Sequence, residues 1–248
     1  METVVAEVKT RTRDLNAPLL QYLRSRSVAG TSHEDIIDGV TKLTDGQVVG
    51  RFFPFFPKRE VDLYCWLRKW LILGAVPIAT LNLQKLKING SIPDAWHHQM
   101  IYGVSERGAH MMNPLEIMPF ELMEKTLCSD SVLLIQRKDI ISRFDVHMDT
   151  TFFGDDHRWH NLKVFEQIEK LGKEQALILL YDKELKHREL LTSHITIPAI
   201  YKSGITLFVR KNSQAHQYLL VAKELSEVNE VEGSENTDLK TNLTAVCV

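Results

Sequence analysis

Apolar residues recur at helical spacing in the first part of the chain, which predicts two short helices. The stretch Leu15 to Leu23 (LNAPLLQYL) predicts the first helix, with Pro18 tolerated because it falls in the opening turn. A capping box, Thr31-Ser-His-Glu34, predicts the start of the second helix, which continues to about Leu43. Helical elements therefore open the chain.

A third helix is predicted over Arg59 to Leu73, because its apolar residues fall on one stripe and Gly74 follows as a stop signal. The stripe consists of Leu63, Trp66, Leu67 and Trp70. The next apolar run, Ala75 to Leu83, predicts a buried strand. A hairpin follows over residues 94 to 115 (DAWHHQMIYGVSERGAHMMNPL), where two apolar runs flank a polar turn.

The second half of the chain predicts mostly short strands. The expected elements are a helix over Pro119 to Leu127, a strand over Ser131 to Gln136, a helix over Asn161 to Leu171 capped by Gly172, a strand over Ala176 to Tyr181, a hairpin of His194–Tyr201 with Ile205–Arg210, and a strand over Tyr218 to Ala222. Helices that precede antiparallel strands predict an α+β fold, with the N-terminal helices packed on an antiparallel sheet.

Polarity divides the chain into three parts. Residues 1–13 are polar and predict a loose N-terminus, residues 14–223 predict a single domain, and residues 224–248 predict an acidic, disordered tail. The acidic residues of this last part are Glu224, Glu227, Glu230, Glu232, Glu235 and Asp238.

Composition excludes several classes of function. The formal net charge of −2 argues against wholesale binding to nucleic acid or to an anionic membrane. The charged N-terminus lacks the apolar core of a signal peptide, and the apolar run at residues 70–81 is too short to span a bilayer. Three cysteines do not make a disulfide framework. We therefore expect a cytoplasmic protein with reduced thiols, no membrane partner and no cofactor.

The hairpin carries a pattern that has a chemical use. His97 and Asn113 are sixteen positions apart, and they lie opposite each other on one face if the turn centres on Ser105. A turn centred one residue later moves Asn113 along the first strand and away from His97. An imidazole can deprotonate a cysteine thiol, and an Asn or Asp can fix the orientation of that imidazole.

The order of His97, Gly103, Gly108, Asn113 and Pro114 resembles the His–Asp/Asn segment of papain-like cysteine peptidases. The closest form is that of the bacteriocin-processing peptidases attached to export transporters. The flanking stretches Leu73 to Thr80 and Met118-Pro-Phe-Glu121 are also similar to that family, and the resemblance covers roughly residues 14 to 136. It implies a papain-like fold, hydrolase chemistry with His97 as general base and Asn113 as its orienting group, and a peptide or protein partner.

The resemblance also implies a nucleophile that the sequence does not supply. The family places a Cys at the start of the first helix, where this chain has Leu15 or Asn16. Cys65 is the remaining candidate in family order, yet it lies in the middle of an apolar helix, where a thiol is inert. Cys128 follows the histidine and Cys247 lies in the tail. The interpretation is therefore a degenerate relative, or pseudoenzyme, that binds a peptide or protein segment.

Two alternatives remain open at the level of sequence. The hairpin is also compatible with ordinary structural histidines, in which case the chain is a protein-interaction module with no catalytic history. A metal-dependent hydrolase is the other alternative, because polar residues concentrate between positions 145 and 160. The potential ligands are His147, Asp149, Asp155, Asp156, His157 and His160. Their spacing matches no established metal motif, and a helix cap explains one of them equally well.

Overall fold

Helices and antiparallel strands alternate along the chain, as seen in a computed structural model that describes residues 8–86, 92–93, 95–145, 147, 156–180 and 191–228. The helices within this part are α1 (Leu19–Val28), α2 (His33–Leu43), α3 (Leu63–Ile72), α4 (Phe120–Leu127), α5 (Arg137–Ile141), α6 (His157–Asn161), α7 (Val164–Leu180) and α8 (Gln214–Val221). The strands are β1 (Val48–Pro54), β2 (Val76–Asn82), β3 (Trp96–Ser105), β4 (Gly108–Met112), β5 (Glu116–Met118), β6 (Val132–Gln136), β7 (His194–Pro198) and β8 (Gly204–Arg210).

Six of these strands form one sheet, in the order β1-β8-β2-β3-β4-β5, and every neighbouring pair is antiparallel. Strands β6 and β7 form a separate two-stranded sheet. The α+β class predicted from the sequence is thus confirmed at the level of a mixed fold with an antiparallel sheet.

The start of α2 shows how the sequence dictates a local boundary. The helix begins one residue later than the capping box Thr31–Glu34 predicts, because Ser32 is the cap and Asp35 is its reciprocal partner. Arg11 donates two hydrogen bonds to the Asp35 carboxylate, at 2.7 and 3.2 Å. Arg11 also pairs with Gly30 through its backbone, so the described part of the N-terminal segment is held against the α1–α2 connection.

Two hydrophobic cores result from this arrangement. The first core lies between one face of the six-stranded sheet and the helices α3, α4 and α8; it includes Phe53, Leu67, Leu81, Ile101, Met111, Met123 and Leu207. The second core lies around the small sheet and the helices α1, α5, α6 and α7; it includes Leu19, Leu23, Ile135, Ile168, Leu171 and Ile197.

Buried polar contacts join the two cores. The amide of Asn82, at the end of β2, donates to Ser129 Oγ at 3.0 Å, and Ser203 Oγ donates to the carbonyl oxygen of Ser129 at 2.6 Å. The rings of Trp96 and Tyr201 stack at 5.5 Å. Because each buried polar atom of this network has a partner, the network orients β2, β6 and β8 without leaving donors unsatisfied.

Several predicted elements of the second half were wrong. The segment 194–210 is not a hairpin, since β7 pairs with β6 while β8 lies between β1 and β2. Residues 176 to 180 continue α7 instead of forming a strand, and residues 218 to 221 belong to α8. Gly172 does not end a helix, because it lies within α7, where a Cβ would be 2.5 Å from the ring of Phe144.

Candidate functional site

The β3–β4 hairpin places His97 and Asn113 two positions out of register. Ser105 pairs with Gly108, so the turn is Glu106-Arg107, and the register shifts at Tyr102. Met100 pairs with Met112, so the next residue, Asn113, lies opposite Gln99. The Nε2 of Gln99 donates to the Asn113 carbonyl oxygen at 3.2 Å. His97 therefore does not lie directly opposite Asn113, as the turn centred on Ser105 predicted.

His97 belongs to the face of the sheet that covers the first core. It pairs with Leu81 of β2, which is fully buried in that core. His97 is two positions from Gln99, the residue opposite Asn113, and such diagonal neighbours on adjacent strands are about 7–8 Å apart. In the described part of the chain no hydrogen bond joins the His97 ring to Asn113. Among the described residues, Asn113 therefore does not orient the His97 ring in the way that the peptidase resemblance implies.

Gln99 is the residue that the sequence interpretation missed on this face. Its side chain is 1% exposed, and its Nε2 also donates to Glu116 Oε1 at 3.1 Å. The amide therefore fixes the Asn113-Pro114 turn to the sheet and to the start of β5. The sequence did contain a signal for this role. Gln99 lies between His97 and Ile101 in an alternating strand, and alternation places its side chain on the core face.

His98 is the histidine with complete hydrogen bonding, and it points to the opposite face of the sheet. Its Nε2 lies 2.7 Å from the carbonyl oxygen of Thr31, and its Nδ1 lies 3.0 Å from Thr80 Oγ1. The carbonyl only accepts, so Nε2 carries the proton and Nδ1 accepts from the threonine hydroxyl. Burial lowers the pKa of His98, and the hydrogen bond to the Thr31 carbonyl oxygen offsets this shift only in part. The ring is a neutral link between β3 and the start of α2.

His33 lies in the same region as His98. Its ring stacks on Phe52 with centroids 3.7 Å apart, and its Nε2 lies 3.1 Å from the carboxylate of the exposed Glu34. Burial lowers the pKa of His33, and Lys202 and His98 lower it further, while Glu34 opposes this shift. Both histidines are therefore structural groups at the junction between α2 and the sheet.

Of the two cysteines that the structure describes, Cys65 is disulfide-bonded and Cys128 is a free thiol. Cys65 lies in the first turn of α3, where its backbone N–H donates to Asp62, the helix cap, at 2.8 Å. It is disulfide-bonded, so it holds no thiol for an imidazole to deprotonate, contrary to the expectation of reduced cysteines. Cys128 is a free thiol at the end of α4. Cys247 lies outside the described residues.

The helix that the peptidase resemblance would use for its nucleophile packs in the other core. Leu19 and Leu23 of α1 belong to the second core with the small sheet, whereas Leu81, the partner of His97, belongs to the first. The carbonyl oxygen of Leu15 accepts a hydrogen bond from Arg143 Nη2 at 2.8 Å, which holds the segment before α1 against the end of α5. Leu15 and Asn16 are exposed and directly precede Ala17, which belongs to the second core.

The metal hypothesis receives no support from the part of the chain that the structure describes. No group of three or more His, Cys, Asp or Glu side chains suited to a metal occurs among those residues. Asp156 is the N-terminal cap of α6 and forms an ion pair with Arg158 at 2.8 Å. The Arg158 guanidinium lowers the pKa of Asp156. Asp149 and Asp155 lie outside the described residues.

A pocket of about 520 Å³ lies away from His97, between the chain that leads into α3 and the outer face of α4. We call it the α3–α4 pocket. Its apolar lining consists of Phe55, Val61, Leu63 and Val228, its charged lining of Lys58, Arg59, Glu60, Glu121, Glu124 and Lys125, and the free thiol of Cys128 completes it. The volume falls in the range of about 300–1,000 Å³ that is usual for ligand sites.

One wall of the α3–α4 pocket is a short antiparallel pairing. The backbone N–H of Glu60 donates to the carbonyl oxygen of Ser226 at 2.9 Å, and the N–H of Val228 donates to that of Lys58 at 3.0 Å. Arg59 donates to Glu227 Oε1 at 3.0 Å. These contacts hold residues 226–228 along the pocket, although the sequence assigned residues from 224 onward to a tail.

The charges of the pocket balance. Lys58, Arg59 and Lys125 face Glu60, Glu121 and Glu124, and Lys125 lies 3.5 Å from Glu121 one helical turn away. A rim with both signs suits a ligand with separated charges and a polar backbone, and it does not produce the one-sided positive potential of a nucleic-acid site.

Comparison with protein-family models, curated proteins and solved structures finds no match to this chain. No helix among the described residues has the length and apolar character needed to cross a bilayer.

Proposed function

We propose that this chain is a non-catalytic relative of papain-like peptidases that binds a peptide or protein segment in the α3–α4 pocket. The resemblance of the hairpin, with His97, Gly103, Asn113 and Pro114 in family order, supports the papain-like part of the proposal. The mixed α and β fold with its six-stranded antiparallel sheet is compatible with it.

Three observations favour binding over hydrolysis. Cys65 is disulfide-bonded, Asn113 faces Gln99 instead of His97, and Ala17, next to Asn16, belongs to the second core. A cysteine peptidase needs a thiolate, an imidazole and an orienting group within hydrogen-bond reach of one another. We therefore expect no cleavage of a bound peptide.

The α3–α4 pocket is the observation that carries the binding proposal. Its floor presents Phe55 and Val61 to an apolar side chain, and its rim presents lysines and glutamates to the charges that flank such an anchor. A peptide segment combines these features, since its side chains alternate while its backbone supplies hydrogen-bonding groups. We expect ligands with one large apolar residue flanked by charged residues of both signs.

Selection from a random peptide library displayed on phage, with the full chain as bait, tests this function. Val61→Asp places a charge on the pocket floor without removing a fully buried core residue. We expect selected peptides to bind the wild-type chain and to lose at least about tenfold in affinity for this variant.

Ile72→Asp is the matched control, because Ile72 is the last residue of α3, the helix that begins just after Val61; it is 69% exposed and does not line the pocket. The proposal is contradicted if the two variants weaken peptide binding equally, or if no peptide is enriched over a bait-free selection. If the chain cleaves a selected peptide and His97→Ala abolishes that cleavage, the chain is catalytic. This result would contradict the absence of catalysis but not the binding of a peptide.

A further inference from the structure

Residues 225–228, which we call the strap, lie along one wall of the α3–α4 pocket. The strap and the wall form a short antiparallel pairing around Arg59 and Glu227. Two backbone hydrogen bonds, at 2.9 and 3.0 Å, join residues 58–60 to residues 226–228. A segment of the chain itself is therefore seated where a peptide would add to this wall by strand pairing.

Arg59 is the side chain that holds the strap. Its Nη1 donates to the carbonyl oxygen of Leu225 at 3.1 Å and lies 3.0 Å from the Glu227 carboxylate. The side chain of Arg59 is 11% exposed, whereas that of Glu227 is 55% exposed. Water therefore competes for the carboxylate, and an ion pair of this kind stabilises the strap only weakly.

The strap also leaves Arg59 incompletely satisfied. The Nε of Arg59 is buried and has no hydrogen-bond partner among the described residues. A guanidinium binds a carboxylate most strongly when two of its nitrogens donate in parallel to the two oxygens. A ligand carboxylate that spans Nε and a terminal nitrogen would thus gain a hydrogen bond that Glu227 does not make.

Val228 adds an apolar position to this acidic one. It follows Glu227 directly, lines the pocket and is 39% exposed. Neighbouring side chains of an extended segment point to opposite sides, so one segment can direct an acidic side chain to Arg59 and the next side chain into the pocket. The volume of about 520 Å³ leaves room for an apolar side chain larger than valine.

We propose that the α3–α4 pocket binds extended segments in which an acidic residue directly precedes an apolar residue, and that the strap is a weak internal ligand which such a segment displaces. The proposal rests on the proposed function of that pocket and names its ligand class and its regulation. The incoming carboxylate replaces Glu227 on Arg59, and the incoming apolar side chain replaces Val228. The apparent affinity for a ligand is therefore reduced in proportion to the fraction of chains whose strap is released.

Fluorescence anisotropy of a labelled synthetic peptide, AKELSEV, with the full chain tests the proposal. This peptide has the sequence of residues 222–228, and a second peptide, AKELSQV, has glutamine in place of the glutamate before the valine. We expect Glu227→Gln to bind AKELSEV about three- to fivefold more tightly than the wild-type chain does, because the substitution weakens the competing ion pair. The same variant should bind AKELSQV at least about threefold more weakly than AKELSEV.

Glu224→Gln is the matched control, since it makes the same change of charge three residues earlier at an exposed position that does not line the pocket. It should bind AKELSEV with the wild-type affinity. Equal affinities of Glu227→Gln and Glu224→Gln for AKELSEV would overturn displacement of the strap. Equal affinities of Glu227→Gln for the two peptides would overturn the acidic–apolar pattern.

Failure of this proposal is distinguishable from failure of the proposed function. If Val61→Asp weakens the binding of library-selected peptides but AKELSEV does not bind to Glu227→Gln, the pocket is a peptide site and the ligand class inferred from the strap is wrong. If Val61→Asp leaves the binding of AKELSEV and of the selected peptides unchanged, the proposed function of the pocket is overturned, and this proposal with it.

Discussion

Acidification should destabilise the fold through His98 and His33. Both ring nitrogens of His98 are within hydrogen-bond distance of a partner, Thr31 or Thr80, and burial lowers its pKa below the ordinary value of 6.5. Burial also lowers the pKa of His33, against the smaller opposing effect of Glu34. Protonation of His98 gives Nδ1 a proton, so the ring can no longer accept from the Thr80 hydroxyl.

The sign and size of the effect follow from proton linkage. Just below pH 6.5 the unfolded chain takes up protons on these histidines, whereas the folded chain takes them up only at lower pH. Their stabilising contribution is therefore complete above the unfolded pKa and is lost as the pH falls through it toward the folded values. The free energy of unfolding falls by at most about 1.4 kcal/mol per pH unit for each histidine, or about 2.7 kcal/mol for both.

Urea denaturation of the full chain between pH 7.5 and 5.5 measures this slope. In His98→Gln the slope should fall by up to about 1.4 kcal/mol per pH unit, because one titrating ring is removed. His157→Gln is the control, because His157 is an exposed residue at the start of α6, and it should keep the wild-type slope. A free energy of unfolding that does not change with pH in the wild-type chain would refute the reasoning, as would an unchanged slope in His98→Gln.

Three further substitutions test single contacts, each by urea denaturation at pH 7. Tyr201→Phe removes the donor to the buried carbonyl oxygen of Ala29 and should cost about 1–3 kcal/mol; a loss under about 0.5 kcal/mol would contradict the assignment. Gly108→Ala should cost more than about 2 kcal/mol, because φ is +140° and a Cβ would lie 2.2 Å from a carbonyl oxygen of β5; a neutral result would refute this. Arg11→Ala should cost about 1–2 kcal/mol at pH 7, and in a pH series this difference should shrink as the pH falls toward the pKa of Asp35, which the guanidinium and the Ser32 cap lower to about 2 despite burial; a difference of unchanged size at pH 2 would show another origin.

Local signals in the sequence predicted the first half of the fold well. The predicted hairpin occurs as β3 and β4, and the strand predicted from Ala75 occurs as β2, because period-2 alternation and turn residues are visible in short windows. Gly74 ends the segment after α3 with a φ of +85°, which is the conformation a helix stop requires.

The errors came from long-range packing that short windows do not contain. Gly172 looks like a helix cap, but its lack of a Cβ serves the close approach of Phe144. The strands β7 and β8 have hairpin-like spacing, yet their partners, β6 and β1 with β2, are distant in sequence. The residues 218–221 form a helix because Ser213 caps it, with its hydroxyl accepting from the N–H of His216.

The candidate site was predictable only in part, for the same reason. The sequence predicted that a hairpin carries His97 and Asn113. It did not predict the register shift at Tyr102, which places Asn113 against Gln99. The α3–α4 pocket combines residues near 58, 125 and 228, and no local pattern connects these positions. The acidic composition after Glu224 gave no sign that residues 226–228 pair with residues 58–60.

The most direct test of the central claim is hydrogen–deuterium exchange of the full chain, with and without a peptide selected from the library. We predict that the peptide slows exchange in residues 55–63 and 120–128, which form the α3–α4 pocket, and that mass spectrometry recovers the peptide uncleaved. Protection centred instead on residues 97–113, together with cleavage of the peptide, would contradict the account and restore the hairpin as an active site.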